Sequence, residues 1–206
     1  IFLHREFQVQ VWAVDMMVSS SENLERVRDA GMADNIFPLQ ADARHLPFAA
    51  EFFDAIISID SFFYYGTDDL YLSSILRYLK PNGVLAIAGA GLTREIQTLP
   101  AHLKQWWTSD LWCLHSAEWW RKHWQRTDLV DVVTADTLEE GWRFWLNWHH
   151  TIAPGNAIEI EALNADAGEF LGYVRAIAVK REGLIIEEPP ASIPYQYTKM
   201  PLLRNV

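Results

Sequence analysis

Three short apolar runs, each closing on an acidic residue, constrain the fold of this chain more than any other feature. VQVWAVD (9–15), IFPLQAD (36–42) and FFDAIISID (52–60) are rich in β-branched and aromatic residues. Near-continuous runs of this kind read as strands buried on both faces. They end at Asp15, Asp42 and Asp60. Between the first two, SSSENLERVRDAG carries helix signals: Ser19 and Glu22 have the capping-box spacing, Leu24 and Val27 share a face, and Gly31 marks a stop. Residues 1–8 read as the end of a helix, LYLSSILRYLK (70–80) as a helix, PNG (81–83) as a turn and VLAIAGA (84–90) as a fourth strand. This alternation predicts an α/β fold with a doubly wound, mostly parallel sheet covered by helices. Ligands of such sheets sit beyond the carboxyl ends of the strands, which is where the three acids fall.

The pattern changes after residue 91. Residues 92–128 are aromatic-rich without a strand signal, and six of the ten tryptophans fall between Trp106 and Trp124. Ser116 is placed to cap a helix holding Trp119, Trp120 and Trp124. VDVVTADT (130–137) returns to strand. LEEGWRFWLNWHH (138–150) reads as a helix with Trp142, Trp145 and His149 on one face, broken by Pro154 and Gly155. IEIEALNADAGEF (158–170) reads as a helix and YVRAIAVKR (173–181) as a last strand. Residues 1–182 therefore read as one domain, with 92–128 a Trp-rich helical insertion. Residues 183–206 form a Pro-containing C-terminal tail without periodicity. No internal repeat is present.

Composition narrows the partners. The formal charge is −10 and basic clusters are few, so phosphate-backbone binding is not expected and no nucleic acid partner is read. No run of 18 apolar residues suggests a membrane span, and the opening FLHREFQ does not read as a signal peptide. Cys113 is the lone cysteine, which excludes an internal disulfide and a cysteine metal cluster and suits a reducing cytoplasm. Glu139, Glu140, His149 and His150 do not make a metal site, because neighbours on a helix diverge; no metal is expected. The partner expected is a small molecule. The oligomeric state stays open, a homo-oligomer included.

Asp15 suits a ribose diol, since both carboxylate oxygens accept hydrogen bonds. Nicotinamide-binding proteins use the same device, and a solvated or capping Asp is the bland alternative. The string ADARHLPF (41–48), 27 residues beyond Asp15 and followed by FFDAIISIDSFFYYG and LRYLKPNGVLAIAG, is more specific. Together these strings, covering residues 9–91, resemble the motifs of class I S-adenosylmethionine-dependent methyltransferases. The subfamily resemblance is to small-molecule enzymes near sarcosine and dimethylglycine methyltransferases and cyclopropane-fatty-acid synthases. The resemblance implies a Rossmann-like, seven-stranded sheet with a reversed final hairpin, and S-adenosyl-L-methionine as methyl donor. It implies that Asp15 and Met16 meet the ribose end, Asp42 the adenine amino group and the Ala43 N–H a ring nitrogen. Ile59, Asp60 and Ser61 would line the methionine end, with Tyr64 and Tyr65 facing the substrate and residues 92–128 forming the substrate cap. Asn82 stands where the family's LKPGG turn has glycine, a mild change because Asn tolerates left-handed backbone. One departure is larger. The family's first strand and glycine-rich loop, of D-x-G-x-G-x-G type, find no counterpart in these residues and are expected ahead of Ile1.

Methyl transfer asks a protein mainly to align donor and acceptor and to exclude water. A general base is needed only for an acceptor that arrives protonated. The candidates are His115, His123, His149, His150, Tyr64 and Tyr65, with His115 first because it lies in the cap just before a helix start. The cap tryptophans either pack the insertion onto the sheet or box an apolar or cationic substrate. The expected function is methyl transfer to a small-molecule acceptor. The alternatives are a noncatalytic cofactor-binding or oligomerisation module that retains the fold, and a nicotinamide dehydrogenase, which the strings after Asp42 do not fit.

Overall fold

A computed structural model describes residues 1–186. A short helix, α1 (Phe2–Phe7), leads into β1 (Val11–Asp15), α2 (Ser20–Asp29) and β2 (Ile36–Gln40). Then come β3 (Phe53–Ile59), α3 (Tyr71–Leu76) and the long β4 (Leu79–Leu92). The cap contributes two 3-10 turns and α4 (Ala117–Gln125), followed by β5 (Val130–Thr137), α5 (Gly141–Ile152), α6 (Ala157–Asp166) and β6 (Leu171–Lys180). Each predicted strand and helix has a counterpart. The PNG turn is absorbed into β4, where Asn82 takes a left-handed φ of 63° beside a register shift against β3. The sequence alone points to a break there, but pairing with β3 resumes beyond it and carries the strand through.

The strands form two sheets. β1 and β2 pair in parallel, and a second sheet has the order β3-β4-β6-β5. β3 runs parallel to β4, while β6 lies antiparallel between β4 and β5. This sheet is therefore mixed rather than mostly parallel, and among the described residues it joins four strands. The parallel character belongs to β1–β2 and β3–β4; β6 supplies the reversal by running against both β4 and β5.

Burial on both strand faces is also corrected. Alternate residues of β4 and β6, among them Leu85, Ile87, Val174 and Ala176, are buried. They face the side on which Trp120 of α4 packs with Phe62 and Phe63. The opposite face carries Ile57 paired with Ala86, which in turn pairs with Ile177. Ile57 is 47% exposed there, and Val133 of β5 65%. The described residues cover one side of this sheet only. Aromatic packing links the two sheets: Trp12 of β1 lies 5.3 Å from Phe48 and 5.7 Å from Phe52, and Phe48 lies 4.8 Å from Phe53 of β3.

The tryptophans divide by depth. Trp120 and Trp124 are fully buried between α4 and the sheet. Trp106, Trp107 and Trp145 form an edge-to-face series in the cap, and Trp112, beside Trp107, is half exposed. Segment 92–128 packs with the two later helices: His102 bonds to the buried Asp166 of α6 at 2.9 Å, and Trp145 of α5 donates to Glu159 of α6. Of the Pro-containing tail, residues 187–206 lie outside the described residues.

Candidate active site

Asp15 ends β1, and its Oδ1 closes the following turn by accepting the Met17 and Val18 N–H groups at 2.7 and 2.8 Å. Oδ2 has no hydrogen-bond partner among the described residues. Met16 and Met17 are exposed beside it. The loop is tied to the next strand, because the Gln40 side chain donates to the Met16 carbonyl and Ala41 N–H donates to the Asp15 carbonyl. Asp15 and Asp42 thus leave neighbouring strand ends. Ser19 caps α2 by accepting the Glu22 N–H, as its spacing predicts.

Asp42 has a partner that the sequence reading missed. The Arg44 guanidinium forks onto its carboxylate, with Nη2 at 2.6 Å from Oδ2, and the Arg44 backbone N–H bonds Oδ1 at 2.9 Å. These bonds, side chain first, hold the carboxyl down at about 2. The signal was present as an arginine two positions after the acid, a spacing that lets a turn bring the pair together. The next residue, Ala43, has its carbonyl held by the Tyr71 hydroxyl at 3.0 Å, while its N–H has no partner among the described residues.

At the end of β3, Ile59 is 58% exposed and Asp60 takes a left-handed φ of 56°. A non-glycine residue in that region is held by its surroundings. Here Asp60 N–H donates to the Ala88 carbonyl, and its carboxylate accepts the Tyr173 hydroxyl at 2.6 Å. Burial, and then that bond and the Asp60 charge, push the Tyr173 phenol up. The structure separates the two candidate tyrosines. Tyr65 turns back to Ser61, 3.1 Å from its hydroxyl, within a hydroxyl triangle that includes Ser58. Tyr64 is 62% exposed. Partial burial first, and then the nearby Cys113, Asp110, Glu159 and Asp60, push its phenol up.

Tyr71 joins these pieces. Its hydroxyl holds Ala43 and its ring packs 4.9 Å from that of Tyr65, so one buried side chain connects the Asp42 loop to the Ser61 network. Burial pushes its own phenol far up, so it stays a hydrogen-bond donor.

His115 sits on the cap side at the end of β4. Leu92 N–H donates to its carbonyl at 3.1 Å, and Gly91 permits this approach: a Cβ there would lie 2.8 Å from the same carbonyl. Its Nδ1 lies 3.1 Å from Glu95, and its ring stacks on Trp119. The other histidines are differently engaged. His123 is buried against the Gly66 carbonyl, and His149 is buried on Glu159. His150 is exposed. The structure brings together Asp15 with Asp42, and Asp60 and Ser61 with Tyr65 and Tyr173; His115 stands apart from both groups, near Trp120.

Residues 2–87 match the family model described as a methyltransferase domain. A methyltransferase of Streptomyces halstedii, GfsG, is 41% identical over 64 residues, which is 31% of this chain and 23% of that protein. A ubiquinone/menaquinone biosynthesis C-methyltransferase of Saccharophagus degradans is 40% identical over 63 residues, 31% of this chain and 25% of the relative. The chain thus matches about a quarter of the length of these curated relatives. The fold matches far more widely. The [4+2]-cyclase SpnF superposes with a TM-score of 0.67 at 19% identity, over 88% of this chain and 71% of that one. Geranyl diphosphate C-methyltransferase from Streptomyces coelicolor A3(2), solved with magnesium, geranyl diphosphate and S-adenosyl-L-homocysteine, gives 0.67 at 16% identity, over 87% and 65%. At these identities the likeness concerns fold.

Proposed function

We propose that this chain, which carries a methyltransferase domain on the α/β fold of the class I S-adenosylmethionine-dependent methyltransferases, transfers a methyl group from S-adenosylmethionine to a small-molecule acceptor. The observation that carries the reading is that two polar groups at neighbouring strand ends, Asp15 Oδ2 and the Ala43 N–H, have no partner among the described residues. Asp15 keeps Oδ2 for a ribose diol after Oδ1 has closed its own turn. Ala43 keeps its N–H for a ring nitrogen while Tyr71 fixes its carbonyl. Asp42 is held ionised for an exocyclic amino group, with Arg44 sharing the carboxylate. Ile59, Asp60 and Ser61 stand at the β3 end, where a cationic ammonium and sulfonium would lie. Met16, exposed beside Asp15, would cover the ribose end. These residues fit the cofactor.

When bound, the cofactor supplies an electrophilic methyl group. The chain's own residues do the rest. Tyr64, exposed just beyond the β3 end, contacts the acceptor. Tyr65 keeps the Ser61 turn in shape through the hydroxyl triangle. The cap indoles exclude water, and His115 takes a proton where the acceptor has one to lose. The protein works in the cytoplasm on a small molecule and without a metal, alone or as a homo-oligomer.

The seven-stranded sheet belongs to this reading. Among the described residues, β1 pairs only with β2, and β3 only with β4. A further parallel strand between them would give the order β2-β1-x-β3-β4-β6-β5 and satisfy two edges that otherwise invite association. The glycine-loop strand that the resemblance implies fits that slot.

The test supplies methyl-labelled S-adenosylmethionine and a metabolite extract to the full-length protein. Label entering the small-molecule fraction, and lost in Asp42→Ala, supports the reading; label only in protein, or none, overturns it. The second reading, a noncatalytic module, is favoured by the Arg44 fork, which already engages the acid assigned to adenine. The [4+2]-cyclase neighbour shows that fold alone does not fix chemistry. Cofactor binding without label transfer from any extract would favour this second reading.

A further inference from the structure

We infer that Glu95 is a positioning residue that fixes His115 in the Nδ1–H form and leaves Nε2 as the proton acceptor for an oxygen or nitrogen nucleophile. The inference rests on the methyl-transfer reading for its chemistry, but its geometry stands on its own. Both Glu95 oxygens are committed: Oε1 accepts the Ser116 N–H at 2.7 Å, and Oε2 lies 3.1 Å from His115 Nδ1. Burial opposes the charge of Glu95, yet those two hydrogen bonds hold its carboxyl below the usual range. A carboxylate can only accept, so the proton of the bond must sit on Nδ1, and the neutral ring then carries its lone pair on Nε2. An unconstrained neutral imidazole prefers the other form, so Glu95 imposes a choice that the ring would not make alone.

Two further contacts hold the ring. Trp119 lies flat on it, with centroids 3.7 Å apart and planes 6° apart. Ser116, whose N–H anchors Glu95, is also the N-cap of α4, so the carboxylate is tied to the helix start rather than to a free loop. Nε2 has no hydrogen-bond partner among the described residues and is not one of the enclosed, unpartnered atoms. The ring therefore offers one nitrogen outward while the other is clamped, the arrangement by which a carboxylate orients a histidine base.

The substrate class follows. A carbon nucleophile activated elsewhere needs no such base, whereas a hydroxyl or protonated amine does. As the acceptor's O–H or N–H bond breaks, its proton passes to Nε2. The freed pair forms the bond to the methyl carbon, and the pair of the carbon–sulfur bond returns to sulfur, leaving a neutral thioether. The imidazolium so formed faces the Glu95 carboxylate.

The test reads the tautomer directly and needs no cofactor. In the uniformly 15N-labelled protein, His115 ring signals are assigned by their loss in His115→Gln, and protonation is read from long-range 1H–15N spectra above the ring's titration. The expected result is Nδ1–H in the wild type and a shift toward Nε2–H in Glu95→Gln, where the side-chain amide donates. Nε2–H in the wild type, or no change in Glu95→Gln, overturns the inference. If Glu95→Gln fails to fold, the wild-type spectrum alone still decides. Once an acceptor is identified, Glu95→Gln should lower kcat by at least about tenfold with cofactor affinity unchanged; equal loss of both contradicts a positioning role. A failed cofactor titration would sink the methyl-transfer reading while leaving the tautomer result standing, so the two failures are distinguishable.

Discussion

Single residues carry the chemistry assigned to this chain, and their partners decide how each can be used. Asp42 is the clearest case. Its carboxyl sits at about 2 because the Arg44 guanidinium and backbone N–H bind the charged form. Its folded value is depressed, so whatever stability the pair contributes is present above the ordinary carboxylate range and is lost as pH falls toward 2. Both side chains are partly solvated, so that contribution is small. The consequence for binding is larger. Arg44→Ala should let Asp42 protonate nearer pH 4, so that affinity for S-adenosylhomocysteine, flat through the acid range in the wild type, begins to fall near that pH. Titrations across pH check this, and identical profiles would remove Arg44 from the account. Asp15→Ala and Asp42→Ala should each weaken the same binding by at least about 1 kcal/mol, roughly fivefold, measured by calorimetry. The acids were legible because each closes an apolar run. Arg44 was readable in hindsight two positions on. Glu95 was not, because it lies 20 residues from His115 and they meet only when the chain folds back along the end of β4.

Elements were the most legible level, since periodicity and caps are local. Ser19 and Ser116 both cap the helices that their spacing predicts. Ser116→Ala should cost about 1 kcal/mol and lower Tm by roughly 2–4 °C in a domain of this size, read by thermal unfolding. The loss is confined to α4 and should spare cofactor affinity. What local pattern could not give was tertiary. β6 inserts between β4 and β5 through pairings that have no sequence-adjacent signal. The cap draws in α5 and α6 through Asp166, whose buried carboxylate takes His102 and the N–H groups of Phe170 and Leu171. Asp166→Ala leaves the buried Leu171 N–H and the half-buried Phe170 N–H without a partner and should destabilise by about 3 kcal/mol, the largest single loss expected in the cap. A change in Tm of only a degree or two would show that the cap is held elsewhere.

For the whole molecule, the uncovered sheet face and the two unpaired strand edges have one physical meaning: apolar surface and backbone donors that a working protein covers. If the strand that completes the sheet between β1 and β3 brings a helix over this face, Ile57 becomes a core residue. Ile57→Glu in the full-length protein should then cost at least about 2 kcal/mol, whereas an unchanged Tm would show that the face stays open to water. The apolar runs were read as buried on both sides, and that reading is met on the side covered by α3 and α4. The central claim is that Asp15, Asp42 with Ala43, and the end of β3 hold one cofactor. Calorimetric titration of the full-length protein with S-adenosylhomocysteine tests it most directly. The expected result is saturable binding of one equivalent, weakened by Asp15→Ala and by Asp42→Ala; absence of binding at ~1 mM ligand, or affinity untouched by both substitutions, would contradict it.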